Sequence, residues 1–176
     1  MKKFVFLFSG AMLAVALSGC GLFAGPPHEN VPALVVPSPS HSSAAWMHVD
    51  AKTRTVDLKV IAGYASHGFN LDGTANGAMD VRVPEGWHVV IDFTNASGLN
   101  NSLAVVSSGR STRQVFPGAG TPPLQEGIAE GQTRTLKFVA ARPGNFRLVS
   151  LVPGHEASGM WAHFTVTAAG VPSLRL

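Results

Sequence analysis

Through most of this chain, apolar residues recur at every second position, in short runs interrupted by Gly, Pro and Asn. A pleated strand turns successive side chains to opposite faces, so such runs bury one face and wet the other. Val56, Leu58 and Val60 alternate with Thr55, Asp57 and Lys59. Trp87, Val89, Ile91 and Phe93 alternate with His88, Val90 and Asp92. Leu136 and Phe138 alternate with Thr135 and Lys137, and Phe164 and Val166 with His163 and Thr165. Further strands are expected over 46–49, 78–83, 102–106 and 145–151. Asp50-Ala51-Lys52-Thr53, Pro84-Glu85-Gly86 and Pro143-Gly144-Asn145 carry turn chemistry between them. No stretch keeps a helical period for long, and no internal repeat is found. Seven or eight short strands without crossover helices imply an all-β fold, an antiparallel β-sandwich over residues 44–176, the length of one ordinary domain.

The N-terminus has another character. Lys2 and Lys3 precede an apolar run from Phe4 to Leu17 that only Ser9 and Gly10 interrupt. This run is shorter than the roughly 20 residues a spanning helix needs, and it fits a signal peptide over 1–19. Leu17-Ser18-Gly19-Cys20 follows and resembles a bacterial lipoprotein lipobox at all four positions. The resemblance implies cleavage before Cys20, a lipid on its sulfur, and an exported protein anchored to the outer face of a bacterial membrane. Residues 20–43, with five prolines and several serines after Cys20, read as a tether.

Removing the signal changes the charge balance. Without Lys2 and Lys3, the 13 basic residues fall to 11, against 10 acidic ones. No basic stripe remains to suggest nucleic acid. Cys20 is the single cysteine, so no intramolecular disulfide and no zinc cluster of thiolates can form.

The stretch with most chemical content runs Ser150-Leu-Val-Pro-Gly-His155-Glu-Ala-Ser-Gly-Met160-Trp161. It joins two expected strands and places Ser150, His155 and Met160 five residues apart. Blue copper sites take a Cys, two His and a weak axial Met. Gly68-Phe-Asn-Leu-Asp-Gly73, Val83-Pro-Glu-Gly-Trp87, Phe93-Thr-Asn95, Phe116-Pro-Gly-Ala119, Val152-Pro-Gly-His155 and Gly159-Met160-Trp161 complete a set of motifs. With them the chain resembles the sulfocyanins, a cupredoxin family of respiratory blue copper proteins, from about Trp46 to Thr167. The resemblance implies a cupredoxin-like Greek-key sandwich. It matches His155 and Met160 to copper ligands, and it puts Asn101 where a His is expected and Ser150 where the Cys is expected.

Those two exchanges change the chemistry. A thiolate is a soft anion that holds copper strongly, whereas a Ser hydroxyl and an Asn amide are neutral, hard, weak donors. One imidazole and one thioether remain. The expected cofactor is therefore none, or weakly bound copper. The expected role is a non-enzymatic, non-blue binding or accessory module beside a respiratory membrane protein, with Asn101, Ser150 and His155 hydrogen-bonded across the former site. One alternative is an electron carrier with an atypical weak copper site, with His67, His88 or His163 as extra ligands by type. Another is copper handling by His155 and Met160 with Met47-His48 or Met79.

A hydrolase built on Ser150 and His155 lacks a Gly-x-Ser-x-Gly elbow and an acid partner, with Glu156 expected to be solvated. Trp46, Trp87 and Met79 are expected in the core, and Trp161 packed under the Met160 loop. His28, His41, Arg110 and Arg113 are expected to be solvated, the arginines in a loop spanning 107–128.

Overall fold

A computed structural model of the chain describes residues 43–176 apart from His67 and residues 108–110. The expected signal segment, Cys20, the expected tether before residue 43, His28, His41, His67 and Arg110 lie outside the described residues. A three-residue 3-10 turn, Ser43–Ala45, leads into nine strands. These are β1 (Met47–Asp50), β2 (Thr55–Ala62), β3 (Asp80–Pro84), β4 (His88–Asn95), β5 (Ala104–Ser107), β6 (Thr133–Val139), β7 (Gly144–Val149), β8 (Trp161–Thr167) and β9 (Ser173–Arg175). β9 was not anticipated, because Ser173, Leu174 and Arg175 make too short a run to show a period.

The period-two runs become the strands. Val56, Leu58, Val60 and Ala62 of β2, Val89, Ile91 and Phe93 of β4, and Ala162, Phe164 and Val166 of β8 are all buried. One sheet has the order β1-β2-β4-β6 and the other β5-β7-β8-β3-β9. Their inner faces form one apolar core around Phe93, Leu136, Phe138, Leu148 and Phe164.

The expected antiparallel arrangement needs one correction. β2 pairs with β4, and β3 with β8, in parallel, so both sheets are mixed. The chain leaves β2 for β3 in the facing sheet and returns to β4, and two reversals restore the direction. Parallel neighbours usually need a helical crossover; here a strand of the opposite sheet does that work. Alternation reports which face is buried and is silent about the partner's direction.

The segment after β5, expected as one long loop, is pinned along the sandwich by bridges Val106–Gln114, Ala104–Gly120 and Asn101–Ile128. Asp50 Oδ1 accepts N–H bonds from Lys52 at 2.8 Å and Thr53 at 3.3 Å, closing the first expected turn. Among the described residues no helix is long and apolar enough to cross a membrane.

A candidate site at the His155 loop

The chain leaves β7 at Val149 and enters β8 at Trp161, and the intervening loop folds back on itself. Met160 N–H donates to His155 O at 3.0 Å, and Ser150 N–H donates to Met160 O at 3.2 Å. The backbone thus brings together the three loop positions that sequence spacing singled out. Asn101 arrives from the segment before β5, held by Ile128 through Asn101 N–H to Ile128 O at 3.0 Å and Ile128 N–H to Asn101 O at 2.7 Å.

The side chains of Asn101, Ser150 and His155 meet in one buried cluster, 1%, 1% and 6% exposed. His155 Nδ1 lies 2.8 Å from Asn101 Oδ1 and 3.1 Å from Ser150 Oγ. The Ser150 hydroxyl donates to Asn101 Oδ1 at 3.2 Å, and its oxygen accepts Ser102 N–H at 3.4 Å. Asn101 Nδ2 donates to Ser97 Oγ at 2.5 Å and to Asn95 Oδ1 at 3.4 Å. Those two bonds fix the amide with its oxygen toward the imidazole. Nδ1 must then carry the proton, because two acceptors cannot share a 2.8 Å contact. Burial pushes the His155 imidazole below its ordinary pKa, toward the neutral form.

Met160 is fully buried and belongs to the apolar core. The Phe69 ring stands edge-on to the His155 ring, with centroids 5.0 Å apart, and is itself 39% exposed. Phe69 was noticed only as part of the Gly68–Gly73 motif; nothing in sequence spacing relates it to His155, 86 positions away. Asn95, Ser97 and Ser102, which complete the polar cluster, are ordinary turn and strand residues in sequence.

This geometry opposes the hydrolase reading. Ser150 and Asn101 both approach the same ring nitrogen, so there is no relay from an orienting group through one nitrogen to a nucleophile at the other. Nδ1 already holds a proton and cannot accept the one from Ser150. Glu156, expected to be solvated, pairs with Arg147, whose guanidinium lies 4.3 Å above the Trp161 ring. Trp161 accordingly packs beside the loop on the outer sheet face.

The donor set does not fit a thiolate copper centre. No cysteine lies among the described residues, and none of them form a group of three or more His, Cys, Asp or Glu suited to a metal ion. The nearest nitrogen to Ser150 and Asn101 carries a proton, and the partnering oxygens are neutral. Tetrahedral ligands about 2.1 Å from a metal stand about 3.4 Å apart, so these hydrogen-bonded atoms would have to separate to admit one. The other residues named for copper are placed elsewhere: His88 and His163 are exposed on strands of different sheets, Met79 is in the core, and Met47 is half-buried on β1. Trp46 and Trp87 are buried, and Arg113 is exposed, as expected.

The Sulfocyanin (SoxE) domain family model matches residues 42–173. Sulfocyanin of Sulfolobus acidocaldarius is 28% identical over 126 residues, covering 64% of this chain and 63% of that protein. The chain therefore spans less than two thirds of that relative's length. Among solved structures, a rusticyanin variant superposes with TM-score 0.50 at 20% identity, over 69% of this chain and 86% of the other. A multicopper oxidase does so with TM-score 0.50 at 25% identity, over 68% of this chain and 45% of the oxidase. The shared architecture is the cupredoxin sandwich.

Proposed function

The chain belongs to the sulfocyanin family, and from that premise we propose that it is a lipid-anchored, extracytoplasmic member whose copper site has become a hydrogen-bonded polar core. One observation carries this reading: Ser150, Asn101 and a protonated His155 Nδ1 satisfy one another in the buried place where the family resemblance puts copper ligands. Buried polar groups cost free energy unless partnered, and here the partners are side chains. The protein then serves as a non-blue accessory module, without an enzymatic reaction of its own, docking to a respiratory membrane protein.

A second reading retains electron transfer or copper handling at a weak copper site. Its support is that the buried imidazole and thioether of His155 and Met160 sit on one loop closed by the Met160 N–H to His155 O bond.

Copper titration of the full purified chain separates the two. The expected result is no intense visible band, and no change in melting temperature, with Cu(II) or with Cu(I) under reducing conditions. Ser150→Cys combined with Asn101→His should create a blue band with Cu(II). An intense band in the natural sequence would overturn the proposal. Tight binding of about one copper per chain, lost in His155→Ala, would favour the second reading. A colourless double variant would show that Ser150 and Asn101 are not the former ligand positions.

A further inference from the structure

The turn after β2 touches the His155 cluster at one end and buries a carboxyl at the other. At its tip, Phe69 stands edge-on to the His155 ring, with centroids 5.0 Å apart. At its base, Asp72 lies against β2. Asp72 N–H donates to Ile61 O at 2.9 Å, and Asp72 Oδ1 accepts Ile61 N–H at 2.6 Å. Between tip and base, Asn70 O accepts Gly63 N–H at 3.1 Å, and Asn70 Oδ1 accepts Gly73 N–H at 2.9 Å. Leu71 and Thr74 exchange backbone bonds, both 2.9 Å, so the stretch from Gly68 to Thr74 is one closed unit.

Two features make this unit ready to open. Asp72 is not glycine, yet its φ is +52°, between Gly68 at +89° and Gly73 at +78°. Left-handed backbone at a residue with a Cβ persists only where its surroundings hold it. Second, Asp72 Oδ2 is occluded and has no hydrogen-bond partner among the described residues. Oδ1 is engaged by Ile61, so the proton of the neutral acid sits on Oδ2, and the ion finds neither donor nor water there. Lys59 of β2 is the charged side chain whose field favours the ion. Tyr64 packs beside the turn, its ring 3.6 Å from where a Gly73 Cβ would stand, and His155 lies beyond Phe69. Burial outweighs the Ile61 bond and the Lys59 charge and pushes the Asp72 carboxyl up to about 7.

An ionised Asp72 reaches water by leaving Ile61, which breaks both bonds to β2. Phe69 is three residues away in the same closed unit and is already 39% exposed, so its own burial holds it weakly. We propose that the turn from Gly68 to Thr74 is an acid-closed cover over His155: with Asp72 protonated it lies shut, and loss of that proton releases the turn and withdraws Phe69. This inference stands whether or not His155 ever meets copper. The opened carboxyl titrates near its ordinary 3.8 and the closed one near 7, so the sign is fixed: opening is favoured as pH rises. Between pH 5 and pH 8 the opening equilibrium should shift on the order of thirty- to a hundredfold.

The test is amide hydrogen exchange of the full chain from about pH 5 to pH 8, corrected for the base catalysis of exchange itself. Exchange at Ile61 and Asp72 should accelerate by that factor and be insensitive to low urea, whereas Phe164 in the core should exchange only through urea-sensitive global unfolding. In Asp72→Asn the acceleration at Ile61 should vanish. Acylation of His155 by diethyl pyrocarbonate reports the cover. At about pH 8 His155 should react at least about tenfold faster in the natural chain than in Asp72→Asn, and equally in the two at about pH 5. Adding Phe69→Ala to Asp72→Asn removes the cover and should restore the fast reaction. Exchange at Ile61 that follows Phe164 in its urea dependence would mean that the turn opens only with the whole domain, and would overturn the proposal. So would equal His155 reactivity in the natural chain and Asp72→Asn at about pH 8.

Discussion

At the scale of single residues, two buried polar side chains meet opposite fates. His155 is buried neutral inside a satisfied network. Asp72 is 1% exposed, its Oδ1 accepts Ile61 N–H at 2.6 Å, and its Oδ2 has no partner among the described residues. Burial pushes the Asp72 carboxyl up to about 7, against the Ile61 N–H bond and the Lys59 charge, which pull it down. A carboxyl raised on folding holds its proton more tightly in the folded chain than in the unfolded one. Its stabilising contribution is therefore whole below the ordinary value of 3.8 and is lost as pH climbs toward 7. Between about pH 5 and pH 8, Asp72 should lower stability on the order of 2 kcal/mol. Asp72→Asn should flatten that slope in urea-unfolding midpoints; the same slope in both proteins would assign it to other groups.

At the scale of elements, the polar cluster depends on how the segment after β5 is laid down. Gly127 has φ +74°, and a Cβ there would stand 2.8 Å from the Asn101 backbone. The segment can approach Asn101 closely enough to make the Ile128 bonds only because this position is glycine. Gly131 has a similar φ of +77° with nothing within 4 Å of its would-be Cβ, and so isolates the cost of the conformation alone. Gly131→Ala should cost about 1 kcal/mol and Gly127→Ala about 2–3 kcal/mol. Equal shifts in urea midpoint would mean that the contact with Asn101 is unimportant. Spacing in the sequence pointed to Ser150, His155 and Met160 because all three lie on one loop between neighbouring strands. It gave no hint that Phe69, in the turn after β2, stands edge-on to His155, or that Ser97, four residues before Asn101, bonds its amide.

At the scale of the whole molecule, the balance of charge and the proposed anchor act together. The proposed removal of residues 1–19 would leave 11 basic residues against 10 acidic ones, a nearly neutral chain. The proposed lipid on Cys20 would confine the domain to within a tether's reach of a membrane. The full-length protein expressed in a bacterial host should incorporate labelled fatty acid, and Cys20→Ser should abolish it. Labelling retained in the variant would place the lipid elsewhere and remove the anchor from the proposal.

The alternation of Val56, Leu58 and Val60, of Val89, Ile91 and Phe93, and of Phe164 and Val166 was enough by itself to determine a sandwich, because a period of two needs only near neighbours to state which face is buried. The order of motifs likewise marked the family. Parallel pairing of β2 with β4 and the closing of Asn101, Ser150 and His155 on one another were decided only in three dimensions. Each joins residues from distant parts of the chain, and hydrogen bonds of 2.8 to 3.2 Å between positions 49 or 54 residues apart leave no periodic trace in sequence.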